Sequence, residues 1–146
     1  MEVCIVKPDR IFFKEEAEEL LLPTSTGYIG VLKEHAPLVT GLDNGVLAVR
    51  QGTSWKILAL LGGFGVIKED RVNILCRDIE DAAEINVEEA ERLAAEARTG
   101  MEKAESRKIY IENQLTFDRE QARIEAHTMW KNSAGGPPTF LSLIHI

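Results

Sequence analysis

The sequence predicts an all-β N-terminal sandwich followed by an α-helical hairpin, a chain in two structural parts. Three observations lead there. Turn signals recur every 8 to 12 residues up to about Glu84, with short apolar runs between them. At Ile85 the apolar spacing changes from strand-like to helical. No proline interrupts the chain from Pro37 to Pro137, so nothing breaks a helix after Asn86. The expected parts are residues 1–84, 85–131, and a tail, 132–146, that is either disordered or not native.

The strands follow in order. Val3–Val6 precedes the Pro8-Asp9 turn, and Ile11-Phe12-Phe13 begins the next strand. Ala17–Leu22 alternates less cleanly and stops at Pro23-Thr24-Ser25-Thr26-Gly27. Tyr28–Leu32 is a short strand. After it, His35-Ala36-Pro37 shapes a tight connection, because Pro37 forces Ala36 out of the helical region. Val46–Arg50 opens after the hairpin-type turn Asp43-Asn44-Gly45. Trp55–Leu61 runs into Gly62-Gly63, and Val66-Ile67 meets the charged turn before Val72–Cys76. With no helix-length segment between strands, antiparallel pairing is expected.

Asn86 is placed as a helix cap with Glu89 three residues on, and Ile85 with Ala90 as a staple. Ala90, Ala94, Ala97, Met101 and Ala104 then define one helix face. The phase continues through Ile111, Leu115, Ala122, Ala126 and Met129. A hairpin turning near Ser106 covers the Ala face, although the unbroken phase also permits one extended helix. Asn132 to Pro138 ends the helical part.

Composition excludes several functions. A net charge of −7 repels phosphate backbones, so no nucleic-acid partner is expected. The longest uncharged run, Ile57–Ile67, is about half the ~20 residues a membrane-spanning helix needs. The N-terminus has no leader pattern, which places the protein's work in the compartment where it is made. Cys4 and Cys76 sit in apolar segments and read as reduced, buried thiols. Two cysteines and three scattered histidines form no metal cluster.

Four features invite a chemical reading. Glu34-His35 lacks a neighbouring nucleophile and suits a shaped loop better than a catalytic base. Gly62-Gly63-Phe64-Gly65 lies between strands with no Lys-Ser/Thr pair, so close backbone approach outweighs phosphate binding. Glu15-Glu16-Ala17-Glu18-Glu19 lacks a calcium-loop register and suits a solvated strand edge. Arg98, Lys103, Arg107, Lys108, Arg119, Arg123 and Lys131 are interleaved with glutamates. They read equally as a solvated face or as a basic surface for an acidic partner.

The segments "TSTGYIGVLKEHAPLVTGLDNGVLAVR", "LALLGGFGVIKEDRVNIL", "INVEEAERLAAEA" and "KAESRK" together resemble the epsilon subunit of F-type ATP synthases, chloroplast and cyanobacterial type. The resemblance covers about Val3 to His127. It implies a non-catalytic rotor subunit with no cofactor, peripheral to the thylakoid membrane on the stromal side, or on the cyanobacterial cytoplasmic side. The sandwich then couples the gamma subunit to the c-ring, and the helices restrain ATP hydrolysis at the alpha/beta head. By position, Thr24, Ser25, Gly27, Tyr28 and Gly30 face the c-ring, and Lys7, His35 and Thr40 lie near gamma. Arg107, Lys108, Arg119 and Arg123 face an acidic segment of the head.

Some bacterial relatives bind ATP through an I/L-D-x-x-R-A motif. Here the matching stretch has Asn86 for Asp and Glu89 for Arg, which puts a repulsive charge where a phosphate partner stood. No useful ATP binding is expected, and micromolar affinity in calorimetry would overturn that. The alternative function is a free-standing β-sandwich adaptor whose helical tail dimerises.

Overall fold

The computed structural model describes residues 1–133 together with Gly136 and Pro138. Apart from Asn132, Ser133, Gly136 and Pro138, the expected tail lies outside the described residues. Eight strands come first: β1 (Glu2–Lys7), β2 (Arg10–Glu16), β3 (Glu19–Thr24), β4 (Gly27–Leu32), β5 (Leu38–Leu42), β6 (Gly45–Gln51), β7 (Ser54–Lys68) and β8 (Arg71–Asp81). A single 3-10 turn, Ala82–Glu84, leads into α1 (Val87–Glu102) and α2 (Arg107–Ser133).

The strands run in the order β2-β1-β8-β7-β6-β3-β4, with β5 pairing β7 beside this path. β7 has 15 residues and serves both layers of the sandwich. Its first half pairs with β6 and its second half with β5, while β8 follows it along most of its length. The inward set changes phase on the way: Leu58 and Leu60 face the core, and then Ile67. β8 changes phase with it, from Val72, Ile74 and Cys76 to Ile79.

Gly62 and Gly63 sit at this corner and explain it. A Cβ on Gly62 would lie 2.5 Å from the carbonyl oxygen of Leu42, and one on Gly63 would overlap the carbonyl oxygen of Leu75. Only glycine lets the backbones close there. The expected close approach is therefore present, but inside one continuous strand rather than between two.

Other expectations need correction. β1 and β8 pair in parallel, because the rest of the sandwich lies between them and supplies the crossover that parallel neighbours need. Pro23 does not end β3 but sits within it, opposite Tyr28 of the edge strand β4. The segment after Pro37 is strand β5, not only a connection. Glu15 and Glu16 do close the edge strand β2, whereas Glu19 opens β3 and pairs with Arg50 at 3.1 Å. Cys76 is buried, but Cys4 is only half-buried; both are free thiols. Burial pushes the Cys76 thiol up to about 11, with the Asp78 charge adding to it.

The molecule has two apolar layers. The inner one lies between the sheets and is built from Val3, Ile5, Leu20, Leu22, Leu47, Leu58, Leu60 and Ile74, among others. The second lies on the opposite face of β3, β6 and β7, where Leu21, Val46, Ala48, Ile57 and Ala59 meet Ala126 and Met129 of α2. The stretches of these strands under α2 are buried on both faces, so "LLL", "VLAV" and "ILAL" show no polar alternation. Small side chains at Ala48, Ala59 and Ala126 let the helix come close.

The helices form the expected hairpin. Asn86 accepts the Glu89 N–H at 3.1 Å and caps α1, whose Glu88 and Glu89 favour the helix N-terminus. Ala90, Ala94 and Ala97 are buried as α1 packs on α2, and the Arg98 guanidinium lies over the Phe117 ring. Lys103 to Ser106 make the turn, and Ser106 Oγ accepts from Ile109 N at 3.2 Å. α2 continues through Asn132 to Ser133, slightly past its expected end.

Candidate interaction surfaces

The outer face of the β2-β1-β8-β7 layer carries apolar side chains in a line. Register aligns Ile11 with Val6, Val6 with Leu75, Leu75 with Phe64, and Phe64 with Gly41 of β5. Ile11 and Leu75 are each 57% exposed and Phe64 is 62% exposed. A neighbouring row adds Val66 and, opposite it, Val39, which is 71% exposed. A β-bulge between Ile5 and Val6 makes this possible, because it leaves Phe13 facing inward while Ile11 joins the outer row. Its contiguity and exposure make this face a candidate interaction surface. Position-by-position reading missed it. The available signal was apolar residues on both parities of β7 and β8, such as Phe64 beside Ile67 and Leu75 beside Ile74.

None of Lys7, His35 and Thr40 is part of the line, and Thr40 shares the inward parity of β5 with Leu38 and Leu42, opposite to Val39. Lys7 ends β1 next to Val6, and its Nζ meets Asp78 Oδ1 at 2.9 Å. That pair holds the Asp78 carboxyl below its ordinary range against the opposing effect of burial. Thr40 is half-buried on β5 between Val39 and Gly41. His35 follows Glu34, whose φ of 62° places it in the left-handed region. Glu34 N donates to Asp70 Oδ1 at 3.0 Å, tying this loop to the β7–β8 turn. In that turn Glu69 and Asp70 both have positive φ, as the tight hairpin requires. His35 Nδ1 lies 2.7 Å from the Ala36 carbonyl oxygen, a local backbone contact. Among the described residues, no group of three or more His, Cys, Asp or Glu is arranged to hold a metal.

The β3–β4 tip gathers Thr24, Ser25, Gly27 and Tyr28, while Gly30 lies further along β4, opposite Leu21. Thr24 Oγ1 donates to the Gly27 carbonyl at 2.5 Å, and Gly27 takes a φ of 122°. Ser25 is exposed at the turn. Tyr28 differs from its neighbours, because its ring packs against the second apolar layer beneath α2. Its hydroxyl accepts from Val46 N at 3.4 Å. Burial, helped by the Glu125 charge, pushes the phenol up to about 12.

The four helix cations are not equivalent. Arg107 and Lys108 are exposed at the start of α2. Arg119 is about half-exposed and reaches Glu120 at 3.7 Å. Arg123 is turned inward, with its Nε 3.0 Å from Glu80 Oε2 and its Nη1 2.6 Å from Glu120 Oε1. Glu120 is one of the glutamates that interleave with these cations in the sequence, whereas Glu80 carried no signal there. They lie 3 and 43 residues from Arg123, and only the docked fold brings all three together.

A cleft of about 770 Å³ lies between the sheet corner and α2, lined by Asn44, Phe64 and Gln121 along with charged groups. It holds three carboxylates, Asp43, Asp118 and Glu125, against one cation, Arg77. Arg77 in turn donates to Asn44 Oδ1 at 2.8 Å. Such a lining disfavours a phosphorylated ligand. No helix among the described residues is long and apolar enough to cross a membrane.

Comparison with known proteins agrees with this architecture. The family described as the ATP synthase delta/epsilon chain, beta-sandwich domain, matches residues 1–82. The chloroplastic ATP synthase epsilon chain of Ostreococcus tauri is 77% identical over 140 residues, covering 96% of this chain and 99% of that one. That of Chlorella vulgaris is 44% identical over 125 residues, covering 86% and 93%. A chain in the Euglena gracilis mitochondrial ATP synthase structure (OSCP/F1/c-ring) superposes with a TM-score of 0.74 at 22% identity, covering 82% of this chain and 76% of that one. At that identity the likeness is one of fold. With its sandwich, its helical hairpin and these relatives, the chain belongs to the ATP synthase epsilon-chain family, of the chloroplast type.

Proposed function

We propose that this chain is a non-catalytic rotor subunit that joins gamma to the c-ring and restrains ATP hydrolysis through its C-terminal helices. The observation that carries the docking half is the exposed row Ile11–Val6–Leu75–Phe64. A flat apolar face on a rigid sheet suits a permanent partner, and gamma is its assigned occupant. Lys7, His35 and Thr40 are assigned to that contact. The β3–β4 tip, with Thr24, Ser25, Gly27 and Tyr28, is assigned to the polar loops of the c-ring, together with Gly30 of β4. Residues 1–84 act as the docking part and 85–131 as the regulatory part.

The regulatory half rests on how the hairpin packs. α2 lies on the sandwich through an apolar cluster distinct from the inner core, rich in alanine and bordered by one charged cluster. Lifted away, it would present Arg107, Lys108, Arg119 and Arg123 to an acidic segment of the alpha/beta head. The protein is placed at the thylakoid membrane, peripheral on the stromal side, held there by the complex.

The docking half is tested by replacing Phe64 and Leu75 with Ser. Binding to purified gamma should weaken by at least about tenfold, as expected when two central apolar anchors are lost. The circular dichroism spectrum should stay that of the native protein, because both side chains already face solvent. Unchanged gamma affinity would remove this face as the interface.

A further inference from the structure

The contact between hairpin and sandwich has a charged centre. Glu120 of α2 is 1% exposed, and its carboxylate accepts from Arg123 Nη1 at 2.6 Å, one turn further along the same helix. Arg123 also reaches out of the helix. Its Nε donates to Glu80 Oε2 at 3.0 Å and its Nη2 to Glu80 Oε1 at 3.2 Å, a two-pronged carboxylate pair. Glu80 stands near the end of β8, opposite Ala59, so it belongs to the sandwich. The Arg123 side chain is 14% exposed, and only about 10 Å³ of free space remains where it meets Ala59, Asp78 and Glu80. That is room for at most about one water molecule.

The three groups have unequal roles. Glu120 and Arg123 share a helix, so they stay together whether α2 is packed or lifted. Glu80 stays behind. Among the described residues, the Arg123–Glu80 pair is therefore an ion pair that exists in one arrangement and is lost in the other. An interaction common to both states shifts no equilibrium, whereas one present in a single state does. Glu120 serves to hold the guanidinium fork aimed at Glu80, since burying the Glu120 carboxylate without its cation would be costly.

We propose that Glu80 is a positioning residue, a latch that keeps α2 on the sandwich by occupying Arg123 and so withholds that cation from an acidic partner. The inference rests on the reading of the helices as the inhibitory part, and it assigns the control of that part to a sandwich residue. Lifting exchanges one carboxylate for another on the same guanidinium, so release and partner binding are coupled. Arg107 and Lys108, exposed in the packed arrangement, are left free to make the first encounter.

The test is the full chain carrying Glu80→Gln, which keeps the shape and removes the charge. Hydrogen exchange of the α2 amides around Arg123 should speed up by about tenfold, the change that a loss of ~1.4 kcal/mol produces. Exchange in β6 and β7 should not change, which separates undocking from unfolding of the sandwich. Glu80→Asp, with its charge kept but its reach shortened, should fall in between. Glu96→Gln, which breaks only the exposed pair with Arg92, should leave α2 exchange as it is. Wild-type α2 exchange in Glu80→Gln would overturn the latch, whatever the subunit's function. Added to an ATP synthase head depleted of this subunit, Glu80→Gln should inhibit hydrolysis at lower concentration than wild type. Faster α2 exchange with unchanged inhibition would keep the latch and overturn the inhibitory reading instead.

Discussion

The two apolar layers of this molecule differ in how much of each is alanine, and that difference divides the labour. Between the sheets, Ile5, Leu20, Leu22, Leu47, Leu58, Leu60 and Ile74 are almost fully buried. Burying each such side chain is worth roughly 1.5–3 kcal/mol, so this layer is a fixed core. Between the sheet and α2, the alanines Ala48, Ala59, Ala82 and Ala126 alternate with Leu21, Val46, Ile57, Ile85 and Met129, with charged groups at the margin. Alanine buries little area and mainly permits close approach. The inner layer therefore holds the domain together, whereas the second gives α2 a place to rest.

Substitutions should separate the two. Leu58→Ala cuts into the inner layer and should cost about 2–5 kcal/mol, read as a lower urea midpoint for the whole molecule. Ala126→Leu overfills the second layer and should cost about 1–3 kcal/mol. Its effect should fall on α2, seen as faster exchange and easier proteolysis there, while the strands keep their protection. Equal loss of protection in strands and helix would show that the layers are one cooperative core.

A smaller effect comes from Glu125, an exposed residue of α2 that forms part of the cleft wall. Desolvation there raises its carboxyl above the ordinary 4.5. The folded protein then holds this proton more tightly than the unfolded chain does. The stability tied to it is complete below about pH 4.5 and is lost as pH rises through the raised value. Glu125→Gln should therefore raise the melting temperature at pH 8, and the gain should vanish toward pH 4. A gain that is the same at both pH values would mean that packing, not charge, is responsible.

Much of this contrast was legible in the sequence, though not as a contrast. The non-alternating runs Leu20–Leu22, Val46–Val49 and Ile57–Leu60 already carried the sign of strands covered on both faces. The Ala periodicity from Ala90 onward gave the hairpin, and Asn86 its start. Strand β5 escaped because Pro37 and five short residues outweigh any periodicity. The parallel β1–β8 pair escaped because it joins the two ends of the sandwich. Glu120, three residues before Arg123 on the same helix, was legible as a partner from spacing, whereas Glu80 was hidden in principle, because only packing brings it across.

The central claim is that the sandwich docks and the helices inhibit. The direct measurement is ATP hydrolysis by an ATP synthase head depleted of this subunit, with the whole chain or with a chain ending at Glu84 added back at saturation. The shortened chain should still bind gamma but inhibit hydrolysis much less than the whole chain. Equal inhibition by both would contradict the account.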